Sequence, residues 1–125
     1  MIHVVAAIIE DEGRYLACRR RPERSHGGLW EFPGGKVEHG ESASTALVRE
    51  INEELATAVV PLTHFTTLDR GDLRLIFVRA RLAAPRPLAS TDHDRLEWLT
   101  LDELSSVTWA PADKTAVELL QSGRD

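Results

Sequence analysis

Glu50, Glu53 and Glu54 stand at helical spacing inside the short run "REINEE". At about 100° per residue their side chains leave one sector of a helix, so their carboxylates are expected to face the same small volume. Like charges at these spacings cost a helix about 0.2–0.5 kcal/mol per pair, and a bound cation reverses that sign. Carboxylate oxygens suit a hard divalent ion such as Mg²⁺ or Mn²⁺. The single cysteine, Cys18, and the scattered His3, His26, His39, His64 and His93 form no zinc-ligand spacing, and no catalytic role is assigned to the histidines. Taken alone, the glutamates also describe a solvated acidic face of a helix.

The residues around them favour chemistry. Upstream, Gly34 and Gly35 let the backbone turn tightly and offer its carbonyls to a ligand, and Gly40 permits a second turn. Glu41 falls near a helix N-terminus, where negative charge is favoured, and Arg49 can orient a neighbouring acid. "GGKVEHGE" followed by "REINEE" therefore reads as a metal loop feeding a metal helix.

Positioning such a site needs a scaffold. Ser42 to Leu55 is predicted as a helix with Leu47, Val48, Ile51 and Leu55 on one stripe. Before it, "IHVVAAIIE", the turn "EDEG" and "RYLACRR" predict a hairpin with a buried first strand, and "RRRPERSHGGLW" a basic loop. "WEFPGGKVEHGE" is too glycine-rich for a regular element. After the helix, "AVVPLTHFTTL" and "DLRLIFVRARL" predict a strand pair, "AAPRPLAST" an exposed loop and "RLEWL" a short strand. "APADKTAVELLQS" predicts a terminal helix with Pro111 in its first turn. Strands, helix, strands, helix imply a sheet covered by helices on both faces, in the α/β or α+β class.

With 125 residues, the chain is expected to form one domain over 1–125 with a sizeable core. A net charge of −5 argues against holding a nucleic acid polymer or an anionic membrane by bulk attraction. The opening "MIHVVAAIIEDEG" lacks the marks of a secretory signal, and a lone cysteine closes no internal disulfide, so the expected location is cytoplasmic.

Gly35, five residues, Glu41, seven residues and then "REINEE" resembles the Nudix box, the signature of hydrolases acting on nucleoside diphosphates linked to another group. "HVVAAII", "LWEFPGGK", the "DH…W" segment and "APAD" extend the resemblance to the MutT-type branch and its CTP-pyrophosphohydrolase relatives over nearly the whole chain. The box departs from the family pattern at its end, where Ala56 and Thr57 replace glycine and an aliphatic residue. Alanine takes a left-handed helix cap at a cost of about 1 kcal/mol, so the helix exit is expected to differ.

The resemblance implies a Nudix-type α/β/α sandwich with a mixed central sheet. It implies Mg²⁺-dependent hydrolysis, with Mn²⁺ as substitute, of a nucleoside triphosphate to the monophosphate and pyrophosphate, by a monomer or homodimer. Housecleaning of 8-oxo-dGTP or of (d)CTP-type nucleotides is the expected role. The alternatives are a hydrolase of nucleotide sugars, ADP-ribose or dinucleoside polyphosphates, and a non-catalytic nucleotide sensor, which the retained acids argue against. On this resemblance the metal ligands are the Gly34 carbonyl, Glu50, Glu53, Glu54 and Asp92 of "TDHDRLEW", although Asp92 reads equally as a loop-capping acid. The catalytic set is Arg49, Glu50, Glu53 and Asp92, and any of these three carboxylates is able to take the proton from water. Substrate contacts fall on Arg20, Glu31, Phe32, Gly34, Gly35, Lys36 and Asp113. Asp113 either reads the base or caps the terminal helix.

Overall fold

The computed structural model describes residues 1–123. Strands β1 (Ile2–Asp11) and β2 (Arg14–Arg20) are joined by Glu12 and Gly13, whose φ angles of 51° and 77° make the left-handed two-residue turn that matches strand twist. Next come β3 (Trp30–Glu31), β4 (Gly34–Lys36), helix α1 (Ala43–Leu55), β5 (Val59–Arg70), β6 (Leu73–Leu82) and β7 (His93–Leu99). A short 3-10 turn (Asp102–Ser106) leads to helix α2 (Pro111–Gln121).

The strands form one seven-stranded mixed sheet, parallel between β1 and β6 and antiparallel elsewhere. β1 is central. Its start pairs with β4 (Val4↔Lys36 to Ala6↔Gly34), but its end pairs with β2 (Glu10↔Tyr15). β2 then diverges to pair with β3 and β7, which opens a wedge between the two halves of the sheet.

The apolar run in β1 reflects burial on both faces, as expected for a central strand with a parallel neighbour. Val5, Ala7 and Ile9 pack with Leu47, Ile51 and Leu55 of α1, whereas Ala6 and Ile8 pack with Phe77 and with Ala116, Val117 and Leu120 of α2. One helix covers each face, giving the α/β/α sandwich. Among the described residues no helix is long and apolar enough to cross a membrane.

Local expectations are corrected at several points. The glycine-rich stretch contains β3 and β4, and Gly34 is the reason: a β-carbon there would strike the Val5 carbonyl, so only glycine lets β4 lie against β1. Val48 is 38% exposed, because the buried face of α1 runs through Ala46, Leu47, Ile51, Glu54 and Leu55. The helix exit keeps left-handed geometry without glycine, with Ala56 at φ 50°, ψ 41° and its N–H returning to the Asn52 carbonyl. The "AAPRPLAST" loop is largely exposed, as expected, with Leu88 at 96%, but it is anchored through Arg86, which bonds Asp11 at 2.8 Å and lies over the Trp98 ring, and through buried Pro87.

Candidate active site

Arg49 on α1 organises the acidic end of the wedge. Its guanidinium grips Glu41 through two bonds of 2.7 and 3.0 Å, reaches Glu50 at 3.0 Å and Glu53 at 3.3 Å, and donates to the Lys36 carbonyl at 3.1 Å. Glu38 lies 3.2 Å from the same group. The hydrogen bond from Arg49, helped by the Glu38 N–H, brings the Glu41 carboxyl down to about 2, and these acids in turn raise Arg49. The glycine loop is thereby tied to the helix. Ser42 starts α1 as a side-chain cap, accepting from the Thr45 N–H at 3.1 Å.

Glu50 leans over Gly35 so closely that a β-carbon at Gly35 would overlap its carboxyl. Glu54 turns inward and is 6% exposed, and its Oε2 has no hydrogen-bond partner. Burial first, then the charges of Asp92, Glu50 and Glu31, pushes its carboxyl up to about 9. Glu53 points outward, with its side chain 58% exposed. The glutamates therefore do not converge as their spacing suggested: among the described residues no three acidic or other ligating side chains surround one point. Arg49 draws Glu50 and Glu53 towards itself, because a cationic fork offset from their sector satisfies both. The unpartnered, enclosed Glu54 oxygen still suits a hard cation.

The opposite wall comes from the far half of the sheet. The Thr91 N–H donates to the Glu54 carbonyl at 3.0 Å, which docks the 90–92 loop on α1. Asp92 is 3.0 Å from Arg24 of the basic loop. On β3, Glu31 Oε2 accepts from Arg20 Nη1 at 3.1 Å and lies 2.8 Å from His93 Nε2. Asp113 is 6% exposed and accepts from the Phe32 N–H at 2.9 Å. Helix α2 is capped instead at Ala110, without a side-chain bond, so the capping reading of Asp113 fails. Burial raises the Asp113 carboxyl to about 7 against the opposing hydrogen bond from Phe32.

A pocket of about 130 Å³ lies here, bounded by Arg20, Glu31, Phe32, Gly34, Gly35 and Asp113 among others. Phe32 serves both pocket and core, 3% exposed, meeting Phe77 edge-to-face and Trp109 at a tilt. The buried Cys18 thiol on β2 is pushed up by burial and then by the charges of Glu31, Glu54 and Asp113. Lys36, the last residue of β4, is exposed.

Sequence reading missed His93, Ser90 and Arg24. His93 is 2% exposed between Glu31 and Ser90, whose Oγ is 2.7 Å from Nδ1. The available signal was a histidine flanked by acids in "DHD"; nothing local reports how deeply it is buried.

The NUDIX domain model matches residues 1–120. A CTP pyrophosphohydrolase of Escherichia coli (strain K12) is 37% identical, with 99% of this chain and 94% of that protein covered. An 8-oxo-dGTP diphosphatase of Proteus vulgaris is 42% identical over 69 residues, 54% of this chain and 59% of that protein. The solution structure of the Escherichia coli ORF135 protein superposes with a TM-score of 0.82 at 34% identity, covering 98% of this chain and 89% of that one.

Proposed function

This chain belongs to the Nudix hydrolase family, and we propose that it is a Mg²⁺-dependent nucleoside triphosphate pyrophosphohydrolase acting on cytosine nucleotides. The reaction is (d)NTP plus water to (d)NMP plus pyrophosphate, carried out by a single domain spanning the chain. The observation that carries the reading is continuity: the pocket bounded by Glu31, Phe32 and Asp113 shares Gly34 and Gly35 with the acidic wall of α1. A base held at one end thus leaves its phosphates over the other.

Nudix hydrolases are in general dependent on divalent metals. In this reading the Gly34 carbonyl, Glu50, Glu53, Glu54 and Asp92 would hold the ion, which would neutralise charge on the phosphates and make a bound water more acidic. The chain's own residues do the rest. Arg49 sets Glu50 and Glu53, Gly35 leaves room for the Glu50 carboxyl, and Arg20 and Lys36 supply positive charge to the phosphates. Water attacks the β-phosphorus, its proton passes to Glu50, Glu53 or Asp92, and the nucleoside monophosphate leaves with the bridging oxygen.

Asp113 near neutrality is shared between a carboxylate, which only accepts hydrogen bonds, and a carboxylic acid, which offers one donor beside one acceptor. The acid form matches N3 and the exocyclic amine of cytosine. It also matches O6 and the N7–H of 8-oxoguanine, so 8-oxo-dGTP is the second reading, favoured by the 8-oxo-dGTP diphosphatase relative.

A substrate panel with Mg²⁺ tests both. It contains CTP, dCTP, 8-oxo-dGTP, ADP-ribose, a nucleotide sugar and a dinucleoside polyphosphate, and pyrophosphate is followed against inorganic phosphate. The expected result is pyrophosphate release fastest from the cytosine nucleotides, with label from ¹⁸O-water appearing in pyrophosphate. Preference for ADP-ribose or a nucleotide sugar, or release of inorganic phosphate alone, would overturn the proposal.

A further inference from the structure

We propose that His93 is a positioning residue that couples the base pocket to the acidic loop, an inference that rests on the pyrophosphohydrolase reading above. Its side chain is 0% exposed, at the first residue of β7, and both ring nitrogens are engaged. Nε2 lies 2.8 Å from Glu31 Oε2, the same oxygen that accepts from Arg20. Nδ1 lies 2.7 Å from Ser90 Oγ, and that oxygen accepts from the Asp92 N–H at 3.3 Å.

One arrangement of protons satisfies every atom in this chain. A carboxylate only accepts, so Nε2–H donates to Glu31; Nδ1 then accepts the Ser90 hydroxyl proton, and the Ser90 oxygen remains free to accept from the Asp92 amide. The line runs unbroken from the acid of the base pocket to the backbone of Asp92. Its far end is fixed to the catalytic helix, because the adjoining Thr91 N–H bonds the Glu54 carbonyl. Arg21 holds the same loop from below through the Ser90 and Thr91 carbonyls, at 3.3 and 2.9 Å. Any buried imidazole needs partners for both nitrogens, so what matters here is where those partners lie. This one joins the two segments that the proposed reaction has to bring into register, the wall of the base pocket at Glu31 and the acid at Asp92.

The two nitrogens can be separated by substitution. The amide of His93→Asn stands where Nδ1 does and keeps Ser90 while losing Glu31, whereas the amide of His93→Gln reaches Glu31 and gives up Ser90. Partners of this kind typically change activity by about 10- to 100-fold. With the preferred nucleotide, His93→Asn is expected to raise KM about tenfold with kcat nearly kept, and His93→Gln to lower kcat about tenfold with KM nearly kept. Ser90→Ala removes one hydroxyl outside the core and should reproduce the kcat loss, which decides the matter if either His93 variant does not fold.

Equal changes in both His93 variants, or a wild-type kcat in Ser90→Ala, overturn the coupling while leaving the proposed activity standing. A wild-type protein that releases product from no nucleoside triphosphate overturns the activity and the coupling together.

Discussion

Gly35 lies directly under the Glu50 carboxyl, in the space that any side chain at that position would take. The obstacle is the far end of a flexible side chain, so Gly35→Ala can fold by pushing Glu50 aside. Its expected phenotype is a melting temperature close to wild type with turnover reduced about 10- to 100-fold. Gly34→Ala differs, because its β-carbon would meet the Val5 carbonyl in the β1–β4 pairing, where backbone has to give way. Overpacking of this sort costs about 1–3 kcal/mol. Thermal melts beside initial rates check the contrast, and a Gly35→Ala enzyme with full turnover would show that the position of Glu50 is unimportant.

Glu54→Gln keeps the shape of a side chain that, among the described residues, is the one buried group with an unpartnered oxygen, and removes its ability to ionise and so to bind a cation. A carboxyl held at about 9 in the fold costs stability as pH rises from its ordinary 4.5, so the metal-free variant, which has no such group, should melt at or above the wild-type temperature, by more at higher pH. If the proposed ion binds only the folded chain, Mg²⁺ should stabilise wild type, and that added stability should vanish in the variant along with most of the turnover. Melting curves with and without Mg²⁺ measure this. A variant still stabilised by Mg²⁺ as strongly as wild type would remove Glu54 from the metal site.

What the sequence disclosed was whatever is local. Alternation of Val5, Ala7 and Ile9 with Ala6 and Ile8, and the 3.6-residue recurrence of Leu47, Ile51 and Leu55, identify a two-faced strand and a one-faced helix without reference to the remainder. The spacing of "REINEE" is equally local. β3 and β4 were illegible because what makes Gly34 a strand residue is the nearness of Val5, far away in the chain. Depth was hidden for the same reason. His93 becomes a site residue through Glu31, 62 positions distant, and Asp113 through Phe32, 81 distant. The inward turn of Glu54 and the outward turn of Glu53 depend on Arg49 and on the docked 90–92 loop, neither of which helical spacing alone can place.

Ala56 holds a left-handed backbone at φ 50° that glycine adopts freely. Ala56→Gly should therefore raise stability by up to about 1 kcal/mol, less the greater freedom glycine gives the unfolded chain. Its side chain is exposed and apart from the pocket, so kcat and KM should stay at wild-type values. Denaturant titration with unchanged m-value reads the gain. A loss of stability would mean that the unfolded-state effect outweighs the strain.

Asp113→Asn tests the base reader through two independent measurements. Asparagine can still accept from the Phe32 N–H through its carbonyl oxygen, so the fold keeps that contact. The folded carboxyl titrates at about 7, above its ordinary value of 3.8. An acid with a raised folded value contributes stability that is complete below the unfolded value and is lost as pH rises through the folded one. Wild-type stability should therefore decline between about pH 4 and about pH 7 from this group, and the decline should be shallower in the variant. Recognition changes separately. An amide cannot deprotonate, so the variant should lose the pH dependence of its preference between dCTP and 8-oxo-dGTP, and the ratio of their kcat/KM values should shift by about 10-fold or more. Measuring that ratio at pH 6 and pH 8 in both proteins separates the roles: a flattened stability profile with an unaltered ratio would leave Asp113 a buried acid of the fold and take base reading away from it.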